Sequence, residues 1–151
     1  MQPRMRQMRV WTILVAGVAY VVVGIGTALL AGAASSPTGV QAWRLAAWLL
    51  SLAVFGVHLA IERGRHEHRP GAARHIASQV ALAVALGALG VAALGPMRSH
   101  WREPHMVRLA LLSLVAWPVL TGVPAFAVAW MLVLILDRLG VRTRASRSRA
   151  G

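Results

Sequence analysis

The sequence predicts an all-α fold, an integral membrane four-helix bundle with both termini in the cytoplasm. Hydrophobic residues make up 58% of the 151 residues, and the mean hydropathy is +0.63, above the usual values of soluble domains. Charged residues are absent from four stretches, 10–43, 45–61, 75–97 and 109–136. A soluble four-helix bundle would carry a polar stripe on each helix, and these stretches carry none.

The first predicted span covers residues 10–34, long enough for a hydrocarbon core that needs about 20 apolar residues. Small residues recur every fourth position at Gly24, Ala28 and Gly32, a spacing that lets another helix approach closely. Residues 31–33 resemble a signal-peptidase site, but the apolar run before them is longer than the core of a signal peptide. We therefore expect an uncleaved first helix.

The second and third predicted spans cover residues 43–61 and 75–95. The second is short for a membrane helix, and Trp43 and Trp48 at its start are suited to anchoring it at the membrane interface. The third consists almost wholly of Ala, Leu, Val and Gly, which predicts a tightly packed helix in the interior of the bundle.

The fourth predicted span, 107–137, contains two prolines. Each proline removes an amide donor and frees the carbonyl four residues earlier, which predicts a kink. Ser113, Trp117 and Thr121 share a helix face, so one interpretation is a small polar cavity at mid-membrane, as in some transporters. The other is an ordinary proline-kinked helix. The candidate cavity residues are Ser113, Trp117, Pro118, Thr121 and Pro124.

The arginines predict the orientation. Twelve of the sixteen fall at one end of a four-pass chain, which favours a cytoplasmic location for that end. Nine of the twelve are taken as the main topology determinants: Arg4, Arg6, Arg9, Arg63, Arg65, Arg69, Arg74, Arg138 and Arg142. The positive charge is thus explained by topology, so no nucleic-acid partner is expected. Residues 140–151 are predicted to form a basic disordered tail, either solvated or in contact with anionic lipid headgroups.

One stretch, HLAIERGRHEHRPGAARH at 58–75, concentrates histidines and acids. His58 lies in an apolar run, one helical turn before Glu62 on the same face. Three interpretations remain open. In the structural one, His58 bonds a neighbouring helix, Glu62 pairs with Arg63 or Arg65 near the interface, and Asp137 meets the arginine-containing loop after the second span. The others are a proton or cation relay through His58 and Glu62, and a metal or haem site. The weak metal candidates are His58, Glu62, His66, His68 and His75.

Function is less determined than fold. The chain has no cysteine and no catalytic motif, so no enzyme activity and no cofactor are predicted. The first expectation is a structural or accessory protein of the bacterial inner membrane, embedded in lipid and packing with itself or with a larger complex. The alternatives are a small proton- or cation-coupled transporter or channel, which would use His58, Glu62 and the proline-containing helix, and a metal- or haem-binding membrane protein.

Overall fold

The computed structural model describes residues 3–66, 71–94 and 104–148. They form four helices, α1 (Pro3–Ala33), α2 (Pro37–His66), α3 (Ala72–Leu94) and α4 (Pro104–Ser148), and the described part contains no strand. Each helix is long and apolar enough to cross a membrane. His68 and Arg69, and the side chains of Arg4, Arg6, Arg9 and Arg142, lie outside what the structure describes.

The helices extend beyond most of the predicted span ends, including the start of α2. Only residues 34–36 separate α1 from α2. The Ser36 hydroxyl oxygen accepts a hydrogen bond of 3.1 Å from the Gly39 amide, and Pro37 occupies the first helical position. This is an N-cap arrangement that satisfies an otherwise unpaired amide, so the helix begins six residues earlier than the apolar run suggested.

Gly64, a residue of poor helix propensity, does not end α2. α2 continues through Gly64 to His66, because one glycine costs a helix only about 1 kcal/mol and the His66 ring makes a hydrogen bond that helps close the last turn. α4 likewise runs to Ser148, into the segment expected to be a disordered tail. Gly140 is the only glycine or proline in the sequence between Pro124 and Ser148, so few residues there oppose a helix.

The helix α3 lies at the centre of the fold. It contacts α1, α2 and α4, and its contact with α4 is the most extensive in the molecule. The core consists of buried side chains from α2, α3 and α4: Leu59, Ile76, Ala77, Val80, Ala129 and Val133. The prediction that the Ala- and Gly-rich third span occupies the interior is confirmed.

Glycines allow α1 and α3 to approach closely. A Cβ atom at Gly87 would overlap the Cβ of Tyr20, one at Gly90 would overlap Val21, and one at Gly24 would lie 2.8 Å from Val91. Of the predicted small-residue ladder, Gly24 therefore packs against α3. Gly32 has no atom within 4 Å of such a Cβ, and Ala28 is exposed.

The start of α1, the end of α2, the start of α3 and the end of α4 lie together, and we call this the arginine-rich end. Three contacts bring them together: Arg65 with Thr12, His66 with His75, and Arg63 with Asp137. The apolar core lies near this end. Toward the opposite end, the helices border a partly open cavity of about 960 Å³.

Replacing Gly87 by alanine tests the close approach of α1 and α3. The added methyl would collide with the Tyr20 Cβ, which is attached directly to backbone and cannot swing away. We expect a loss of about 1–3 kcal/mol, typical of an overpacked interior, measured as a lower melting temperature by circular dichroism in detergent. Gly26→Ala is the matched control, because no atom lies within 4 Å of its added Cβ. Equal melting of the two variants would contradict the packing.

Candidate functional site

Three ionisable side chains line one face of α2 at the arginine-rich end. His58, Glu62 and His66 follow one another at four-residue spacing, so they lie on the same helix face. All three are buried, and Glu62 is only 1% exposed. We call them the histidine–glutamate cluster. His66 belongs to it only because α2 continues past Gly64.

Only one oxygen of the Glu62 carboxylate has a hydrogen-bond partner among the described residues. Its Oε1 accepts a hydrogen bond of 3.0 Å from Arg65 Nη1, and the same nitrogen donates to the Thr12 hydroxyl on α1 at 2.6 Å. Its Oε2 is buried and has no hydrogen-bond partner among residues 3–66, 71–94 and 104–148. The charge-assisted bond from Arg65 compensates part of the desolvation of this carboxylate, while Oε2 keeps an unused acceptor position.

His66 connects the cluster to α3. Its Nδ1 lies 2.9 Å from the Glu62 carbonyl oxygen. A carbonyl can only accept, so this geometry places a proton on Nδ1. The same nitrogen lies 4.0 Å from Glu62 Oε2, and the His66 ring is 5.3 Å from the ring of His75. Of the five sequence-predicted residues that carry the relay and metal hypotheses, Glu62, His66 and His75 are therefore neighbours.

His58 is buried at 3% exposure, and neither ring nitrogen has a hydrogen-bond partner. The expectation that His58 bonds a neighbouring helix is therefore wrong for the described residues. Glu62, expected near the interface where its charge would be easily solvated, is instead buried within the protein. Leu59, which follows His58 on α2, belongs to the apolar core formed with α3 and α4, so the cluster lies beside that core.

The weak metal hypothesis gains nothing from the geometry. Within residues 3–66, 71–94 and 104–148, no three His, Asp or Glu side chains are arranged to hold a metal ion. His68, the remaining member of that set, lies outside the described residues.

Asp137 at the end of α4 makes an ion pair with Arg63 of α2, with Oδ1 and Nη2 3.1 Å apart. This confirms the expectation that Asp137 meets the arginines that follow the second span. Its side chain is 57% exposed, so the pair is a surface contact and contributes little to stability. Arg63 and Arg65 thus have different partners, although both were candidates for Glu62.

Side chains from all four helices line the cavity. Four of the five predicted cavity residues are among them, and Pro118 is not. The sequence-predicted residues found there are Ser113, Trp117, Thr121 and Pro124. Tyr20 of α1 and Arg44 of α2 line the same space. The Tyr20 hydroxyl is buried without a hydrogen-bond partner among the described residues.

The prolines do not interrupt α4, which is continuous through Pro118 and Pro124. The Thr121 hydroxyl donates to the Trp117 carbonyl at 2.8 Å, so it does not bond the carbonyl of residue 114, which Pro118 leaves without its amide partner. Threonine commonly makes such a bond to the carbonyl four residues earlier.

An apolar layer separates the cavity from the histidine–glutamate cluster. Ser51 lines the cavity, and His58 follows two turns later on the same face of α2, roughly 10 Å along the helix axis. Phe55 stands between them and packs against the core. On α3 and α4, too, the core residues lie nearer the arginine-rich end than the cavity residues do.

Sequence reasoning missed Thr12, Tyr20 and Arg44 as members of these sites. A signal for Arg44 was present, since Arg44, Trp48 and Ser51 recur at helical spacing and all three line the cavity. Thr12 carries no comparable signal, because its role depends on where Arg65 reaches across to α1.

Comparison of the chain with protein-family models, with curated proteins and with solved structures gives no match. The chemistry of the cluster and of the cavity is therefore the basis for assigning a function.

Replacing Glu62 by alanine tests the buried contact. The change removes the acceptor of Arg65 and leaves a void, so we expect a loss of roughly 1.5–3 kcal/mol, as for a hydrogen bond to a charged group. Thermal melting in detergent measures it. Asp137→Ala removes the other paired carboxylate at the same end and should change stability by less than about 1 kcal/mol. If both variants melt alike, Glu62 is not held as described.

Proposed function

We propose that this chain is a small proton-coupled transporter of the bacterial inner membrane, with both termini in the cytoplasm. In this proposal His58 and Glu62 exchange protons, and the cavity receives the transported solute. The observation that carries the proposal is the burial of Glu62 beside His58, with three of their polar side-chain atoms lacking a hydrogen-bond partner within the described part of the chain.

The physical reason is the energy of charge in apolar surroundings. A buried carboxylate costs several kcal/mol unless it is paired, and here only Oε1 is paired. A proton bound at Oε2 would neutralise the carboxylate and so remove the cost of its buried charge. Ionisable residues within membrane-spanning helices are, for this reason, functional candidates by default.

The apolar layer supports a carrier rather than an open pore. Leu59, Val80 and Val133 are buried between the cavity and the arginine-rich end, so a solute in the cavity has no aqueous route past them. Transport would require these helices to separate there and to close around the cavity instead, which is the alternating access used by transporters with interrupted helices.

The arginine distribution supports the orientation. Twelve arginines belong to the arginine-rich end by sequence, and only Arg44, Arg98, Arg102 and Arg108 belong to the other. Short loops rich in arginine are retained in the cytoplasm. The cavity would then face the opposite side of the membrane, and the histidine–glutamate cluster would lie near the cytoplasm.

Glu62→Gln tests proton exchange. The glutamine amide oxygen can still accept from Arg65, so the fold should be retained, but the side chain can no longer take up a proton. We expect a pH jump to produce a transient current from wild-type proteoliposomes on a solid-supported membrane, and Glu62→Gln to lose most of the transferred charge.

Asp137→Asn is the matched control, because Asp137 is also ion-paired at the arginine-rich end yet largely exposed. This variant should keep the current. Gel filtration and circular dichroism establish that all three proteins are folded. A wild-type current no larger than that of protein-free liposomes, or an unchanged current in Glu62→Gln, would refute proton exchange at this site.

A second candidate function is the accessory subunit that the sequence first suggested. The observation that favours it is the free part of the small-residue ladder on α1, where Ala28 is exposed and Gly32 has nothing within 4 Å. Small residues spaced by four are suited to contact with another transmembrane helix. This surface is separate from both the cluster and the cavity.

Replacing Gly32 by leucine tests the second candidate. The bulky side chain would block helix contact at the free ladder but would meet nothing within the chain itself. If the chain is a subunit, native mass spectrometry of protein released from its own membrane should show a defined complex that Gly32→Leu dissociates. Gly56→Leu, at another open glycine on α2, is the control. A wild-type protein that emerges as a monomer would contradict the subunit role.

A further inference from the structure

The cavity is large and lined mainly by apolar and small side chains. Its volume of about 960 Å³ is at the upper end of the range of small-molecule sites. Gly24, Ala47, Ala88 and Val91 form part of its walls. Trp48 and Trp117 also line it, and both are more than half exposed, so they stand where the cavity opens to the outside of the helices.

Among the described residues that line the cavity, Arg44 is the one charged side chain and none is acidic. Arg44 makes no ion pair with any residue in the described ranges. Arginine recognises planar acidic groups through its fixed fork of donors. The lining residues of α2 extend roughly 10 Å along the helix axis, from Arg44 to Ser51. The cavity therefore has the Arg44 guanidinium at one depth and mainly apolar side chains farther along the helix.

Few hydroxyl groups are free to recognise a polar solute. The Thr121 hydroxyl is engaged by the Trp117 carbonyl, which leaves Tyr20 and Ser51 as the described hydroxyls for which the structure gives no partner. A sugar or a peptide would need many more hydrogen bonds than this cavity supplies, since each unmet polar group lowers affinity. A cation would meet the positive charge of Arg44.

We propose that the cavity binds an amphipathic organic anion, with its acidic group at Arg44 and its apolar chain among Ala47, Ala88 and Val91. As a statement about binding, this stands on the lining of the cavity. As a statement about the transported solute, it rests on the proposed function. Two sources share this chemistry: a free organic acid with a hydrocarbon chain, and an anionic phospholipid of the surrounding bilayer.

Equilibrium binding of radiolabelled decanoate to the full chain in phosphatidylcholine nanodiscs tests the proposal. We expect saturable binding above that of empty nanodiscs, weak competition by decanol, and an affinity at least ten-fold lower in Arg44→Gln. Arg108→Gln is the matched control, because Arg108 belongs to the same end by sequence, is exposed, and does not line the cavity. Ala47→Phe, which fills the cavity without changing charge, should also abolish binding.

A second arm adds phosphatidylglycerol to the nanodiscs. If decanoate binding persists, the ligand is a free organic acid. If phosphatidylglycerol displaces decanoate from wild type, the same site takes its anion from the bilayer, and the binding proposal stands with a lipid as ligand. Decanoate retention no greater than in empty nanodiscs, equal competition by decanol, or unchanged affinity in both Arg44→Gln and Ala47→Phe would overturn it.

Proton exchange at Glu62 and anion binding at Arg44 can be refuted independently, because decanoate binding is measured at constant pH without a proton gradient. A proton current without decanoate binding would leave proton coupling intact and refute this substrate class. Binding without a Glu62-dependent current would keep the site and refute proton coupling.

Discussion

The close approach of α3 to its neighbours is the constraint on which the rest of the structure depends. Four helices that are apolar on most faces gain little specificity from hydrophobic burial, so their association depends on close packing. Gly87 and Gly90 bring α3 against Tyr20 and Val21 of α1. Nearer the arginine-rich end of α3, Ala77 and Val80 are completely buried in the core shared with α2 and α4. A helix of larger residues could not contact three partners at once.

This packing also determines where polar groups end up. Because the core lies near the arginine-rich end, the face of α2 that carries His58 and Glu62 is drawn into it, and a carboxylate is buried where arginine can reach only one of its oxygens. Arg65 remains 39% exposed, so it links the buried carboxylate to the surface and, through Thr12, to α1. Toward the other end, the described parts of the same helices do not contribute to this core, and the cavity lies between them. The cluster and the cavity are thus two consequences of one uneven distribution of packing.

The two sites complement each other chemically. One contains groups that can change charge, the other a space with a single fixed positive charge, and an apolar layer around Leu59 and Phe55 separates them. A carrier needs these three parts: a site for the solute, a site for the coupling ion and a barrier between the two sides of the membrane. The burial of Glu62 favours the proposed transport function over an accessory role. A glutamate exposed to solvent would easily keep its charge and would need no functional explanation.

The sequence by itself determined the four helices, the uneven arginine distribution, and the common face of His58 and Glu62, because charge-free length and helical periodicity are local properties of the chain. It also placed Ser113, Trp117 and Thr121 on one face. Only the tertiary structure decided that Arg65 rather than Arg63 pairs with Glu62, that Gly87 and Gly90 rather than Gly32 meet a neighbouring helix, and that Arg44 and Tyr20 line a cavity. The physical reason is that these helices are apolar on nearly every side, so periodicity shows which residues share a face but not which face meets which neighbour.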